Sequence, residues 1–299
     1  MPTFGIHSRE QFLRMGDERR FLGARVAYNL LRVGENPSSE EIKLFEDLCI
    51  TLRTSNGTFR TTFRDRFRDV DAESVRWIKE LFPSETPIRV QDRAVSTGLT
   101  SAEWAKRLFQ EFANVEFEAS DLLTELLELP VGDETYILEP SGKPLQYIRP
   151  PFVISIDYRE SWRNPILRWM SARVRRKFAG LSWDRSQVRP ISFIHPEARA
   201  LERANPNFRF VVRSIFDRTP GAADVLRTMN ILNLSYFSRE ELSEARSVIF
   251  DSVAVGGLWI AGRTLEEDFT NHVTFFRRQE RGWDVLGRIG RGSEIENFA

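Results

Sequence analysis

The sequence has little cysteine and histidine, which excludes several kinds of site. Cys49 is the only cysteine among 299 residues, so the chain forms no internal disulfide and no zinc site built from paired thiolates. The three histidines, His7, His195 and His272, lie far apart and show no metal-ligand spacing. We therefore expect neither a structural nor a catalytic metal.

Net charge and long apolar runs are missing as well. Lys+Arg and Asp+Glu number 43 each, so the overall charge does not favour a nucleic-acid partner, and we expect none. No stretch is long and apolar enough to span a bilayer, and the amino terminus lacks a basic region followed by an apolar run. We interpret the chain as cytoplasmic, without membrane insertion. The sequence predicts no oligomeric state.

The pattern along the chain predicts two parts. Residues 1–84 are expected to form a small helical domain. Residues 85–299 alternate short strands and helices, which is typical of an α/β fold with a doubly wound, mainly parallel sheet. Its strands are predicted near 88–95, 115–119, 208–213, 224–229 and 257–261. Its helices are predicted near 101–112, 121–129, 196–204 and 238–253. Two last strands, near 272–278 and 283–288, predict a terminal antiparallel hairpin that brings the sheet to seven strands.

The segment 130–190 does not fit this alternation, and we interpret it as an insertion. The runs 136–138 and 145–148 predict a hairpin. A helix predicted over 161–178 carries many arginines on one face. That face could dock an acidic acceptor, because clustered cations attract anions. The alternative is a solvated amphipathic helix without a partner.

The segment 88–98 is the strongest candidate for a ligand-binding element. The pattern predicts a strand, a tight turn of small residues and a helix that starts near Ser101. Small residues at alternate positions, Ala94, Ser96 and Gly98, let backbone N–H groups approach a nucleotide-like ligand beyond the strand. Asp92 supplies an acidic residue just before the turn. The alternative is an ordinary strand-to-helix turn.

A second acidic residue, Asp121, ends the next predicted strand, about twenty residues further on, where a cofactor ribose would lie. A carboxylate suits two vicinal ribose hydroxyls, because it accepts a hydrogen bond from each. The alternative is that Asp121 or Ser120 caps the following helix.

Four motifs carry a resemblance to a known family. They are Ser96-Thr97-Gly98, Ala119-Ser120-Asp121-Leu122, the segment from Asp224-Val225-Leu226 through Asn230-Ile231 to Tyr236-Phe237, and Gly256 to Gly262. A fainter fifth is the run from Thr54 to Phe59. On these motifs the chain resembles the class I S-adenosylmethionine-dependent methyltransferases, and among them the CheR-type chemotaxis receptor methyltransferases. The resemblance covers about 88–121 and 205–262.

The resemblance implies methyl transfer from S-adenosylmethionine, in that family onto receptor glutamates. Carried over by motif, the residues implied to bind the cofactor are Asp92, Ala94, Ser96, Thr97, Gly98, Asp121 and Asn230. Asn230 would lie beside the methionine end of the cofactor, and Tyr236 near the transferring methyl group. The chain departs from the family's pattern at Leu99, Thr100 and Met229. The acceptor is therefore left open as a protein carboxylate or a small molecule, possibly acidic.

Two other functions are weighed against this one. A methyltransferase-like fold retained as a non-catalytic binding or regulatory module would explain the altered turn residues. An NAD-type oxidoreductase is disfavoured by the missing Gly-x-Gly-x-x-Gly motif and by the terminal hairpin.

Overall fold

The structure is a computed structural model that describes residues 5–14, 26–51, 62–83, 85–156, 165–265 and 269–298. Its contacts divide the chain into two compact units. The first unit combines Met1–Phe63 with Leu123–Pro196, and the second combines Arg64–Leu122 with Glu197–Ala299. Each unit contains one sheet.

The second unit holds a mainly parallel seven-stranded sheet. Its strands are β1 (Ile88–Arg93), β2 (Val115–Asp121), β8 (Phe208–Val212), β9 (Ala223–Met229), β10 (Val253–Thr264), β11 (Asn271–Gln279) and β12 (Gly282–Ile289). The strand order is β12-β11-β10-β9-β1-β2-β8. The strands from β10 to β8 run parallel to one another, whereas β11 pairs antiparallel with both β10 and β12. The predicted mainly parallel sheet of seven strands and its terminal antiparallel pair are both present.

Four helices belong to this unit or begin at its boundary: α3 (Arg68–Leu81), α4 (Leu99–Glu111), α6 (Pro196–Ala204) and α7 (Arg239–Ser252). Ser238 caps the start of α7, and its side chain accepts a hydrogen bond from the backbone N–H of Glu241 in a capping box. Its apolar face packs with Trp259 and Phe276 of the sheet in one buried cluster. Burial of that face fixes the helix on the sheet.

The first unit contains a five-stranded antiparallel sheet. Its strands are β3 (Glu125–Val131), β4 (Glu134–Leu138), β5 (Pro144–Arg149), β6 (Phe152–Ser155) and β7 (Arg189–Ser192), in the order β6-β5-β4-β3-β7. The same unit contains the helices α1 (Arg9–Leu13), α2 (Ser39–Thr51) and α5 (Pro165–Ala179). A short 3-10 helix spans Tyr28–Leu31, and the side-chain amide of Gln146 donates to the carbonyl of Val26 and accepts from the N–H of Tyr28.

The predicted helix over 121–129 is wrong, because this segment forms the end of β2 and most of β3. Leu126 is buried against helical residues such as Phe12 and Phe45, whereas Leu127 and Leu129 lie in a second buried cluster with Tyr136. A strand buried on both faces shows no polar alternation, so its sequence resembles that of a buried helix.

The grouping of segments also differs from the predicted layout. Residues 64–83, expected in the amino-terminal helical domain, lie in the unit of the parallel sheet. Residues 130–190, expected as an insertion, form an antiparallel sheet that shares a core with the described residues before position 52. The hairpin of 136–138 and 145–148 is confirmed as β4 and β5.

The Thr54–Phe59 motif and the first residues of the basic helix, up to position 164, lie outside the described residues. The described part of that helix is α5, and its arginines at 168, 173, 175 and 176 are exposed. Of the helices that the structure describes, none has the length and apolar character needed to cross a membrane.

Candidate functional site

The sheet of the second unit has a topological switch point between β1 and β9. These two strands are neighbours, but the chain continues from β1 to β2 on one side and from β9 to β10 on the other. The loops that leave the carboxyl ends of β1 and β9 therefore diverge and open a crevice. The predicted turn 94–98 follows β1, and the segment 230–237 follows β9.

The turn after β1 has an unusual backbone. Ala94, Ser96 and Gly98 have φ angles of 61°, 58° and 74°, so the three alternate positions of the predicted motif are all left-handed. Asn230, the first residue after β9, has a φ of 60°. For residues other than glycine this conformation costs about 1–2 kcal/mol each. Such strain concentrates at ligand-binding sites, where the surrounding structure enforces it.

The turn contacts the end of β2 directly. The backbone N–H of Ser96 donates to Oδ2 of Asp121 at 2.8 Å, and the N–H of Val95 donates to the carbonyl of Ser120 at 3.1 Å. Parallel register places Arg93 opposite Ser120, so both strands end at the same level. The two elements that the sequence predicts to hold an adenosine thus meet at one edge of the sheet.

Gly98 is required by two features of the turn. Its φ of 74° favours glycine, and a Cβ placed on it would lie 2.2 Å from Cζ of Phe210. Phe210 belongs to β8, beyond β2, and its ring packs against Phe208. The close approach of turn and ring allows α4 to begin at Leu99, directly above the sheet.

Two hydroxyls of the turn have no hydrogen-bond partner. Oγ of Ser96 and Oγ1 of Thr97 are both buried, and within the described part of the chain neither donates nor accepts. Leaving a buried polar atom unpaired costs about 1–3 kcal/mol. Polar ligand atoms or bound water at the turn would satisfy them.

Asp92 lies beneath the turn and has partners inside the protein. Its carboxylate accepts from Nε of Arg227 at 3.0 Å, from Nη2 at 2.5 Å, and from Oγ of Ser101 at 2.6 Å. The residue is only 3% exposed. Asp92 therefore joins β1 to β9 and to the first turn of α4, and its position favours support of the turn over contact with a ligand.

Sequence reasoning missed Arg227, the centre of this buried charge cluster. Its Nη1 donates to Asp71 of α3 at 2.7 Å, and its guanidinium lies 4.1 Å from the ring centroid of Trp104. Burial raises the pKa of Asp71 to about 7, with repulsion from Asp92 adding to the effect and attraction to Arg227 opposing it. Burial disfavours the charged guanidinium of Arg227, but Asp92 and Asp71 outweigh it and hold its pKa above the usual value. An arginine inside the apolar run 225–229 is a signal for a buried anionic partner.

The segment after β9 contributes Asn230 and Tyr236. Oδ1 of Asn230 accepts from the N–H of Thr264 at 2.7 Å, and its own N–H donates to the carbonyl of Gly262 at 2.8 Å. Both bonds connect the end of β9 to the end of β10, while the Nδ2 group has no partner among the described residues. Tyr236 is 46% exposed, and its N–H donates to the carbonyl of Asn233. Asn233 caps its own turn, with Oδ1 accepting from the N–H of Ser235.

The predicted residues thus fall into three groups. The turn residues and Asp121 are brought together at the switch point, Asp92 lies below them, and Asn230 directly follows the adjoining strand β9. Tyr236 lies on the same loop as Asn230, on the exposed surface. Within the described ranges, no group of three or more His, Cys, Asp or Glu side chains is placed to hold a metal ion.

Comparison with known proteins gives distant matches to solved structures only. No protein-family model matches the sequence, and no curated protein matches it. The structure is similar to the CMeT domain of a citrinin polyketide synthase, with a TM-score of 0.37 and 13% identity over 77% of this chain and 40% of that one. It is similar to the DszA carbon methyltransferase over 70% of this chain and 38% of that one, with a TM-score of 0.37 and 10% identity.

A further match has a known cofactor in its structure. It is the phosphoethanolamine N-methyltransferase 2 of Haemonchus contortus in complex with S-adenosylmethionine, with a TM-score of 0.29 and 12% identity over 66% of this chain and 30% of that one. This chain therefore spans less than half the length of all three proteins. Likenesses at this level do not establish an activity, so a functional proposal must rest on the geometry of the site.

Proposed function

We propose that the second unit is a class I S-adenosylmethionine-dependent methyltransferase domain. One observation carries the proposal: the N–H of Ser96 lies 2.8 Å from the carboxylate of Asp121 at the switch point of a doubly wound sheet. Ligands of open α/β sheets bind in the crevice at this place. A turn with backbone N–H groups beside a carboxylate suits a nucleoside with a vicinal diol.

The fit of the cofactor to the turn has further support. Ser96 and Thr97 have buried, unpaired hydroxyls, and Ala94 and Gly98 keep the turn free of bulky side chains. Asp121 already accepts the N–H of Ser96, but a carboxylate has capacity for about four hydrogen bonds. Accepting ribose hydroxyls is therefore compatible with holding the turn.

Each site residue then has a role in the proposal. Asp121 binds the ribose, and the turn backbone from Ala94 to Gly98 approaches the nucleoside and the adjoining chain. Asp92 acts from beneath by fixing β1 to β9 and α4. Asn230 presents its Nδ2 donor beside the methionine end, and Tyr236 shapes the space near the reacting centre.

S-adenosylmethionine would supply an activated methyl group that is transferred by in-line displacement at carbon. The protein has to align the acceptor with the methyl–sulfur bond and exclude water, and alignment accounts for much of such rate enhancements. A carboxylate acceptor is ionised at neutral pH and needs no general base, whereas a hydroxyl or amine acceptor does. The receptor-type carboxylate implied by the sequence resemblance and a small-molecule acceptor are both compatible with the described site.

Calorimetric titration of the purified chain with S-adenosylmethionine, S-adenosylhomocysteine and NAD tests the proposal. We expect both sulfur nucleosides to bind and to raise the unfolding temperature, since a ligand that binds only the folded state stabilises it. Absence of heat and of a thermal shift with both would refute it, and binding of NAD alone would favour an oxidoreductase. Binding of the cofactor without methyl transfer to any acceptor would favour a non-catalytic module.

A further inference from the structure

The second unit has a surface depression of about 760 Å³ beside the switch-point crevice. It is formed by the first turn of α3, by α4 and by the facing ends of β11 and β12. The side chains relevant to binding are Arg68, Asp69, Arg107, Phe269, Asn271 and Ile289.

The depression carries an excess of positive charge. Nη1 of Arg107 donates to the carbonyl of Arg68 at 3.3 Å, which brings the two arginines to the same wall. Among the described residues neither guanidinium forms an ion pair. The third charged group, Asp69, has Oδ1 engaged by Nδ2 of Asn271 at 2.7 Å. Two cations against one anion leave a net charge of about +1, which attracts an oxyanion that arginine can bind in a bidentate manner.

Hydrogen bonds connect the depression to the candidate site. Asn271 of its wall accepts from Oγ1 of Thr264 at 2.9 Å, and the N–H of Thr264 donates to Asn230 at 2.7 Å. Register places Asn271 opposite Thr264, at the carboxyl end of β10. The depression and the crevice therefore lie at the same edge of the sheet, with the end of β10 between them.

The lining is also partly apolar. Phe269 is 64% exposed and has a left-handed backbone with a φ of 55°, and Ile289 ends β12 beside it. An aromatic side chain beside guanidinium groups suits a ligand that combines an apolar body with an anionic end.

We propose that this depression binds the methyl acceptor, and that the acceptor is a small molecule with a carboxylate or phosphate group held by Arg68 and Arg107. The assignment to an acceptor rests on the proposed methyltransferase function. The proposed binding of an anion is independent of that function, because it follows from the two arginines alone.

Phenyl phosphate, benzoate and benzyl alcohol serve as probes, each titrated into the 299-residue chain by calorimetry with and without S-adenosylhomocysteine. We expect one or both anions to bind the wild type and the neutral alcohol not to bind; their ranking distinguishes a phosphate site from a carboxylate site. The double variant Arg68→Ala/Arg107→Ala should lose tenfold or more in affinity for the preferred anion. Arg76→Ala is the matched control, since Arg76 is an exposed arginine of α3 outside the depression.

The outcomes separate the two proposals. Equal anion affinity in wild type and double variant, equal binding of benzyl alcohol, or no anion binding at all would overturn the anion site. The milder Arg68→Gln should show a smaller loss and provides the test if the double variant does not fold. Unchanged S-adenosylhomocysteine affinity in the double variant supports a site distinct from the cofactor crevice. If the wild type binds the anion but not S-adenosylhomocysteine, the acceptor assignment fails together with the proposed function.

Discussion

The Asp121 carboxylate accepts the N–H of Ser96 in the structure and a ribose hydroxyl in the proposal, and two substitutions separate these contacts. In Asp121→Asn the amide oxygen still accepts from the N–H of Ser96, so the turn keeps its hydrogen bond. The Nδ2 group donates and does not accept, so the bond from a ribose hydroxyl is lost. Asp121→Ala removes both contacts.

The size of each effect follows from the type of bond. A hydrogen bond to a charged group contributes about 1.5–3 kcal/mol, and a tenfold change in affinity corresponds to about 1.4 kcal/mol. The dissociation constant for S-adenosylhomocysteine should therefore rise about ten- to one-hundred-fold in Asp121→Asn. In Asp121→Ala the dissociation constant should rise at least as much. This variant should also lose about 1–2 kcal/mol of unfolding free energy, because the N–H of Ser96 is left without its partner.

Calorimetric titration gives the affinities, and urea unfolding gives the stabilities. Glu116→Gln is the control, since Glu116 is an exposed carboxylate on the same strand. An asparagine variant that binds as tightly as the wild type would refute the ribose contact. An alanine variant as stable as the asparagine variant would show that the Ser96 bond does not hold the turn.

Three further variants test other parts of the site. Gly98→Ala should lose more than 2 kcal/mol of unfolding free energy, whereas the control Gly221→Ala should lose about 1 kcal/mol. Both glycines have a left-handed backbone, but only at Gly98 would the added methyl group collide with the ring of Phe210. Equal losses would contradict this close approach. The pKa of Asp71 is raised to about 7 in the folded state, so the folded protein takes up this proton at a higher pH than the unfolded chain does. The unfolding free energy of the wild type should therefore increase relative to that of Asp71→Asn as the pH falls from 8 towards 4. A difference in unfolding free energy that stays constant across this range, measured by urea unfolding, would contradict the raised pKa. Tyr236→Phe should lower turnover more than S-adenosylhomocysteine affinity, and equal losses in steady-state kinetics and calorimetry would reduce Tyr236 to a packing residue.

The local sequence pattern is sufficient to predict the strands of the parallel sheet. Strands such as Ile88–Arg93 and Ala223–Met229 are short segments between turn signals, and their predicted positions agree with the structure within a few residues. The contact between the turn and Asp121 was expected from the spacing of two strand ends, because the carboxyl ends of neighbouring parallel strands share an edge.

The local sequence pattern does not predict side-chain contacts between residues that are far apart in the chain. Arg227 and Asp71 are 156 residues apart in sequence, and nothing local indicates that they form an ion pair. Arg227 also determines the environment of Asp92, which the family resemblance implies to be a cofactor-binding residue. The sequence of Glu125–Val131 resembles that of a buried helix because its leucines face both sides of the sheet. The alternation typical of a strand becomes visible only from the two buried clusters that these leucines join.

The left-handed backbone at Ala94 allows a last test with a defined sign. An alanine in this conformation costs about 1–2 kcal/mol, whereas glycine adopts it without strain but loses about 0.5–1 kcal/mol more in chain entropy. Ala94→Gly should therefore leave the unfolding free energy unchanged or raise it by up to about 1.5 kcal/mol. Ala200→Gly, the same change at an exposed position in α6, should lower it by about 1 kcal/mol.

Changes in unfolding free energy of opposite sign for Ala94→Gly and Ala200→Gly would establish the strain at position 94. Equal losses of unfolding free energy would contradict the left-handed turn. Affinity for S-adenosylhomocysteine then decides what the strain serves. If Ala94→Gly is more stable and binds equally well, the Asp121–Ser96 bond and the Asp92–Arg227 pair hold the turn in place without help from the alanine methyl group. If it is more stable but binds less tightly, the methyl group contacts the ligand, and stability has been given up for binding at this position.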